Sequence, residues 1–172
     1  MGAKLMALLL SVCLFAGCGY HVANNADALP KNVKTIAIPP FGNTTIRYKL
    51  SDQMAAALTR EFNTRTRYHI VAEANEADAV LTGSVINYFS YPTVFDPTTN
   101  RAAGAQAIVQ LQLTLRDRVT KKVLFSRPHM DFRQNYEISV DAASYFDESN
   151  VAMERLSRDL ARSVVSAILE NF

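Results

Sequence analysis

The sequence predicts an α+β fold. It is a two-layer sandwich, with two helices packed on one face of a mostly antiparallel, mixed four-stranded sheet in the order β-α-β-β-β-α. Three observations predict it. From Gln106 to Asp117, the residues Ala107, Val109, Leu111, Leu113 and Leu115 alternate with Gln106, Gln110, Gln112, Thr114 and Arg116, and only Ile108 interrupts the polar side. A period of two marks a strand with one dry and one wet face. Residues 47–64 place Leu50, Met54, Ala57, Leu58 and Phe62 at steps of three and four, with Glu61 on the same stripe, which is a helical period. Residues 149–170 repeat that period with Met153, Leu156, Leu160, Val164 and Ile168. One-sided helices and a one-sided sheet remove their apolar faces from water by covering each other.

The strand order starts at VKTIAI, Val33 to Ile38, which is β-branched and apolar. Pro39-Pro40 stops it, because proline has no N–H to give to a ladder. The FGNTT loop offers Thr44 and Thr45 as caps for the helix over 47–64. RYHIV, 67–71, is compatible with a short strand whose place in the main sheet is left open, and EANEAD is a charged turn. Val80 to Tyr91 reads as a long strand, followed by PTVFDPTTNRAAG, a Pro/Thr/Gly loop of a length found at binding tips. DRVTKK is a turn, and Val123 to Tyr136 returns as the partner strand. Its apolar set changes phase, from Val123 and Phe125 to Met130 and Phe132, so a bulge is expected at Pro128. Arg155, Arg158 and Arg162 lie opposite the apolar stripe of the last helix. Glu154 with Arg158 and Arg155 with Asp159 have ion-pair spacing, so this stripe reads as a solvated face and not as an anion site.

Composition narrows the function. The chain has 172 residues, 49% hydrophobic and 20% charged, and a formal charge of +2. That fits one globular domain, over 33–172, and lacks the clustered basic surplus of a nucleic-acid binder. Its three histidines, His21, His69 and His129, show no ligand spacing. No glycine-rich phosphate loop and no G-x-S-x-G elbow occurs. Glu73, Glu76 and Asp78 match no calcium loop and read as a solvated turn. The expectation is a protein that is not an enzyme, with no catalytic residue, no metal and no cofactor.

The N-terminus carries the strongest local signal. Lys4 is the only charge before Asp27, and Leu5 to Phe15 is almost wholly apolar. That run is shorter than the roughly 20 residues a spanning helix needs. With small residues Ala16 and Gly17 after it, residues 1–17 read as a signal peptide. The chain has two cysteines, Cys13 and Cys18, and cleavage before Cys18 leaves one thiol, at the new N-terminus. Phe15-Ala16-Gly17-Cys18 resembles a bacterial lipobox, in which the cysteine thiol takes a diacylglyceryl group and its freed amine is then acylated. One acyl chain anchors marginally, at about 0.8 kcal/mol per buried CH₂, and three make release negligible. Gly19 at the second mature position resembles lipoproteins sent on to the outer membrane. Residues 18–32 read as a lipidated tether.

CGYHV, LPKNVKTIAIPPFGNTT, LTREFNTRTRYHIV, EADAVLTGSV and LARSVVSAILENF, taken together and in this order, resemble the LptE family of lipopolysaccharide-assembly lipoproteins. The resemblance implies two helices on a four-stranded sheet. It also implies a place inside the large β-barrel LptD in the outer membrane, on the periplasmic side, where such proteins plug the lumen, assist barrel assembly and bind lipopolysaccharide. On that reading, loop cations are the candidate contacts for lipid A phosphates: Arg101 in the long hairpin loop, and Lys121 and Lys122 in the next turn. EADAVLTGSV is also similar to segments of curli-secretion-like and TolB-like lipoproteins. That leaves an alternative, an oligomeric or cell-wall-binding role.

Overall fold

The computed structural model describes residues 29–139 and 148–170. The elements are β1 Thr35–Ala37, β2 Gly42–Asn43, α1 Lys49–Arg65, β3 His69–Val71, β4 Ala79–Phe95, β5 Ala102–Asp117, β6 Val123–Glu137 and α2 Ser149–Glu170. The α+β class is as expected. The sheet has six strands instead of four, in the order β3-β1-β4-β5-β6, with β2 paired to β4. β1 is parallel to β3 and β4, β2 is parallel to β4, and β4-β5-β6 is an antiparallel meander.

The expected short strand within 67–71 is therefore real, and it is the edge strand beside β1. β2 is an addition. Two residues, Gly42 and Asn43, seat on Ser84 and Val85 of β4, and Thr44 continues the contact through its N–H to Val85 O at 3.1 Å. The segment is held there by Phe41, which is buried. Its ring occupies the space that a side chain at Gly83 would fill, since a Cβ there would lie 2.6 Å from Phe41 Cε2. PPFGNTT and LTGSV are thus two halves of one contact.

The long hairpin loop expected over 92–104 is shorter than that. β4 continues to Phe95 and β5 begins at Ala102, with register shifts between Pro92, Val94 and Phe95 that take up the proline. On β6 the expected bulge is present. Leu111 pairs with Met130 and Leu113 with Arg127, so Pro128 and His129 stand against Gln112 alone. A second irregularity lies where Leu115 pairs with Phe125 and Arg116 with Val123. It turns Leu124 inward and leaves Val123 exposed, contrary to the expected inner position of Val123.

The core is the layer between helices and sheet. Ala107, Val109, Leu111, Leu113 and Leu115 are all buried, as are Leu50, Met54, Leu58 and Phe62 of α1 and Met153, Leu156, Leu160, Val164 and Ile168 of α2. α1 starts without a side-chain cap at Tyr48; Thr44 and Thr45 do not cap it. Arg65 Nη1 donates to Ser166 Oγ at 3.1 Å and ties the two helices together. The α2 cations make local ion pairs: Arg158 with Glu154 at 2.7 Å and Arg162 with Asp159 at 3.6 Å. Arg155 reaches back to Glu148 at 3.2 Å and not forward to Asp159.

Candidate functional site

The candidate surface is the sheet face turned away from the helices. The even residues of β5 lie there, because the odd ones are committed to the core. Among the described residues, both helices pack on the other side. The face is organised across three strands. Tyr91 Oη donates to Gln106 Oε1 at 2.7 Å, and Gln106 Nε2 donates to Asn135 Oδ1 at 2.9 Å, along the register Tyr91–Gln106–Asn135. Gln110 Nε2 donates to Asp131 Oδ1 at 3.1 Å, and Thr82 Oγ1 to Thr114 O at 3.2 Å. Directly opposed polar pairs on one face are the stabilising unit of a sheet. Here they fix side-chain directions before any partner arrives. Phe89, opposite Ile108, adds one apolar spot in the middle.

A turn closes each end of this face. The β4–β5 turn, Asp96 to Arg101, and the β5–β6 turn, Asp117 to Lys122, are built alike. Asp96 Oδ1 accepts from the N–H of Thr98 and Thr99, and Asp117 Oδ1 from the N–H of Val119 and Thr120. The fifth residue of each turn is left-handed, Asn100 at φ 54° and Lys121 at φ 59°. These hydrogen bonds hold both carboxyls below the ordinary carboxylate range, led by the N–H of Thr99 for Asp96 and of Thr120 for Asp117. The repeat Asp-x-x-Thr with a cation two residues later is visible in DPTTNR and DRVTKK, and it marks the turn chemistry.

Arg101, Lys121 and Lys122 are all exposed, and the structure does not bring them together. They sit at opposite ends of β5, whose 16 residues span roughly 50 Å at about 3.3 Å per residue. The Arg101 tip carries exposed Val94 and Phe95. At the other end, Asn32 Nδ2 donates to Asp117 Oδ2 at 3.2 Å, and Leu29 is buried in the core with its N–H on Tyr68 Oη at 3.1 Å. Residues 29–32 thus dock at the Lys121–Lys122 end. Cys18 and residues 1–17, the expected signal peptide, lie outside the described residues.

Asp78, read as part of a solvated turn, has a structural task. Its Oδ2 accepts from the N–H of Lys34 at 2.8 Å and of Thr35 at 3.0 Å, and it pins β1 to the start of β4. The Lys34 bond foremost holds its carboxyl below the ordinary range. His69 and His129 are exposed, on β3 and β6, and His21 lies outside the described residues. Among the described residues no cluster of His, Cys, Asp and Glu could hold a metal, and no helix is long and apolar enough to cross a membrane.

A model of the lipopolysaccharide-assembly family LptE matches residues 33–168. The chain belongs to the LptE family. The match runs from the start of the β1 segment to the buried end of α2, so it covers both helices and the whole sheet of this LptE-family chain. No curated protein matches it significantly. Among solved structures, it is similar to lipoprotein B from Nitrosomonas europaea, with 16% identity, a TM-score of 0.55, and coverage of 83% of this chain and 86% of that one. The PelC dodecamer from Paraburkholderia phytofirmans gives 14% identity, a TM-score of 0.53, and coverage of 78% and 87%. A protein from Xanthomonas campestris gives 14%, 0.54, and coverage of 83% and 87%. At these identities the likeness is one of fold.

Proposed function

We propose that this protein is a lipid-anchored plug of an LptD-type β-barrel in the outer membrane, on the periplasmic side. It helps that barrel to assemble and binds lipopolysaccharide on its way to the surface. Residues 1–17 are the signal peptide, Cys18 carries the lipid, the segment from 18 to 32 is the tether, and 33–172 is the plug domain. It acts by shape and binding, without catalysis.

The family match over 33–168 carries this reading. The surface supports it. Barrel lumens are polar, and a plug suited to one keeps its apolar residues in its own core and turns hydrogen-bonding groups outward. The amide and hydroxyl rows of Tyr91, Gln106, Asn135, Gln110 and Asp131 do that on the open face, and the ion-paired arginines do it on α2. A lipid anchor raises the local concentration of plug at the barrel. Either Arg101 or the Lys121–Lys122 pair is the proposed contact for lipid A phosphate, since one headgroup cannot reach both ends of β5.

Detergent extraction of native membranes, followed by affinity purification of this chain, tests the reading. The expected result is stoichiometric recovery of a β-barrel of much larger mass. Recovery as a lone monomer overturns it. Recovery as a homo-oligomer, the state of the similarly folded PelC dodecamer, favours the alternative of a curli-secretion-like or TolB-like assembly.

A further inference from the structure

After Lys4 the chain has five lysines, Lys31, Lys34, Lys49, Lys121 and Lys122, and the fold gathers four of them at one end. Lys34 precedes β1, whose N–H groups Asp78 pins at the start of β4. Lys31 lies beside Asn32, which bonds Asp117, the residue that opens the Lys121–Lys122 turn. Lys49 stands apart at the start of the 17-residue α1, whose other end leads to this site. Arg118 belongs to the same end, with its Nε on Ala77 O at 2.6 Å.

The charges of this end are arranged differently from those of the helices. On α1 and α2 the described ion pairs couple arginines to neighbouring carboxylates. Lys31, Lys34, Lys121 and Lys122 are exposed and, among the described residues, none is in an ion pair. Asp78 and Asp117 are turned inward onto backbone N–H groups, while Glu73 and Glu76 lie in the neighbouring turn. Outward at this end stand the four ammonium groups, with exposed Arg67 beside Lys31 and Lys34 and with exposed Glu73 and Glu76 in the adjoining turn, and the ammonium is the compact and strongly hydrated cation suited to a headgroup layer.

We propose that this lysine-rich end rests on the anionic headgroups of the bilayer leaflet that holds the Cys18 lipid. The inference depends on the reading of Cys18 as acylated, and it adds where the domain stands on its membrane. Chain length supports the choice. Eleven residue steps separate Cys18 from Leu29, a reach of at most about 40 Å. The chain enters the domain at the lysine-rich end, so that end comes flush with the leaflet easily. Standing the domain on its Arg101 tip instead puts the entry point roughly 50 Å away, beyond the tether. An acyl anchor and a basic surface together form the usual two-signal attachment.

Two measurements test it. In the first, the lipidated protein, with any co-purifying partner retained, is placed in vesicles of phosphatidylcholine with or without phosphatidylglycerol. Amine-reactive labelling is then read by peptide mass. Lys31, Lys34, Lys121 and Lys122 are expected to label more slowly in the anionic vesicles, with Lys49 unchanged, and the difference should vanish at high salt. Equal labelling in both vesicles overturns the proposal.

In the second, the unlipidated chain from residue 18 with Cys18→Ser is sedimented with the same vesicles. Each Lys→Gln at this end lowers partitioning about fivefold, and the Lys121→Gln, Lys122→Gln pair about 25-fold. Arg158→Gln has no such effect. Lysine-independent partitioning overturns the proposal, as does lysine-dependent binding that requires lipopolysaccharide and is absent with phosphatidylglycerol. The mass of the native N-terminal peptide reports Cys18 acylation separately, so failure of the anchor and failure of the surface are distinguishable.

Discussion

Replacing Gly83 by alanine puts a methyl group into a space that Phe41 and Leu113 already fill. The new Cβ would stand 2.6 Å from Phe41 Cε2 and 2.7 Å from Leu113 Cδ2. Both neighbours are buried, so neither ring nor isobutyl group can swing into water. Overpacking of this kind costs about 1–3 kcal/mol. For a chain of this size that is a fall of roughly 2–12 °C in Tm. Removing the ring by Phe41→Ala costs about 3–5 kcal/mol. The double variant is the informative one: once the ring is gone, the alanine at 83 meets open space on that side, and its cost falls to the part set by Leu113 Cδ2 at 2.7 Å. The expected coupling is therefore favourable and about 1 kcal/mol, less than the full cost of Gly83→Ala. Urea unfolding of the four proteins in the Cys18→Ser background, followed by circular dichroism, measures it. Costs that simply add would refute the contact as the reason glycine stands at 83.

Other perturbations read other parts of the structure. Asp78 titrates below its ordinary value when folded, so its contribution is complete above about pH 4 and is lost as pH falls through the depressed folded value. Asp78→Asn should flatten the acid limb of a stability-against-pH curve and leave the slope above pH 5 unchanged, to about 0.2 kcal/mol per pH unit. Lys121 holds φ 59°, and Lys121→Gly should stabilise by up to about 1 kcal/mol in thermal unfolding, by removing the left-handed penalty on Cβ. Gln106→Ala breaks the Tyr91–Gln106–Asn135 row. It should change stability by no more than about 0.5 kcal/mol while reducing recovery of a barrel in the purification described above.

The strands that read well are those with a physical reason to alternate. β5 is covered by helices on one side only, so its odd and even residues differ in kind and no neighbour is needed to see it. The bulge on β6 was legible for the same reason, since Phe125 and Met130 can both face the core only if an extra residue intervenes. β1 and both helices were legible from their own periodicities. β2 was not: Gly42 and Asn43 carry loop chemistry, and only the distant seat of Phe41 on Gly83 makes them a strand. The short strand within 67–71 was legible, but its place beside β1 was not, because parallel pairing is a non-local contact that three residues cannot announce. The tip of the β4–β5 hairpin was overestimated because Pro92 and Pro97 look like loop residues. Pro92 sits at a register shift, and Pro97 follows the turn-opening Asp96. The surface was legible in part. The wet face of β5 followed from its glutamines, whereas the gathering of Lys31, Lys34, Lys121 and Lys122 comes from chain entry at Asn32 and Asp117, which is tertiary information.

Photo-crosslinking from the open face tests the central claim most directly. A photoreactive residue replacing exposed Gln112, in the full chain expressed in living cells, should yield an adduct whose added mass and peptides are those of an outer-membrane β-barrel. An adduct with a second copy of this chain, or none at all from Gln112 with the protein folded and at its normal abundance, would contradict the claim that the polar side of this sheet is built to sit inside another protein.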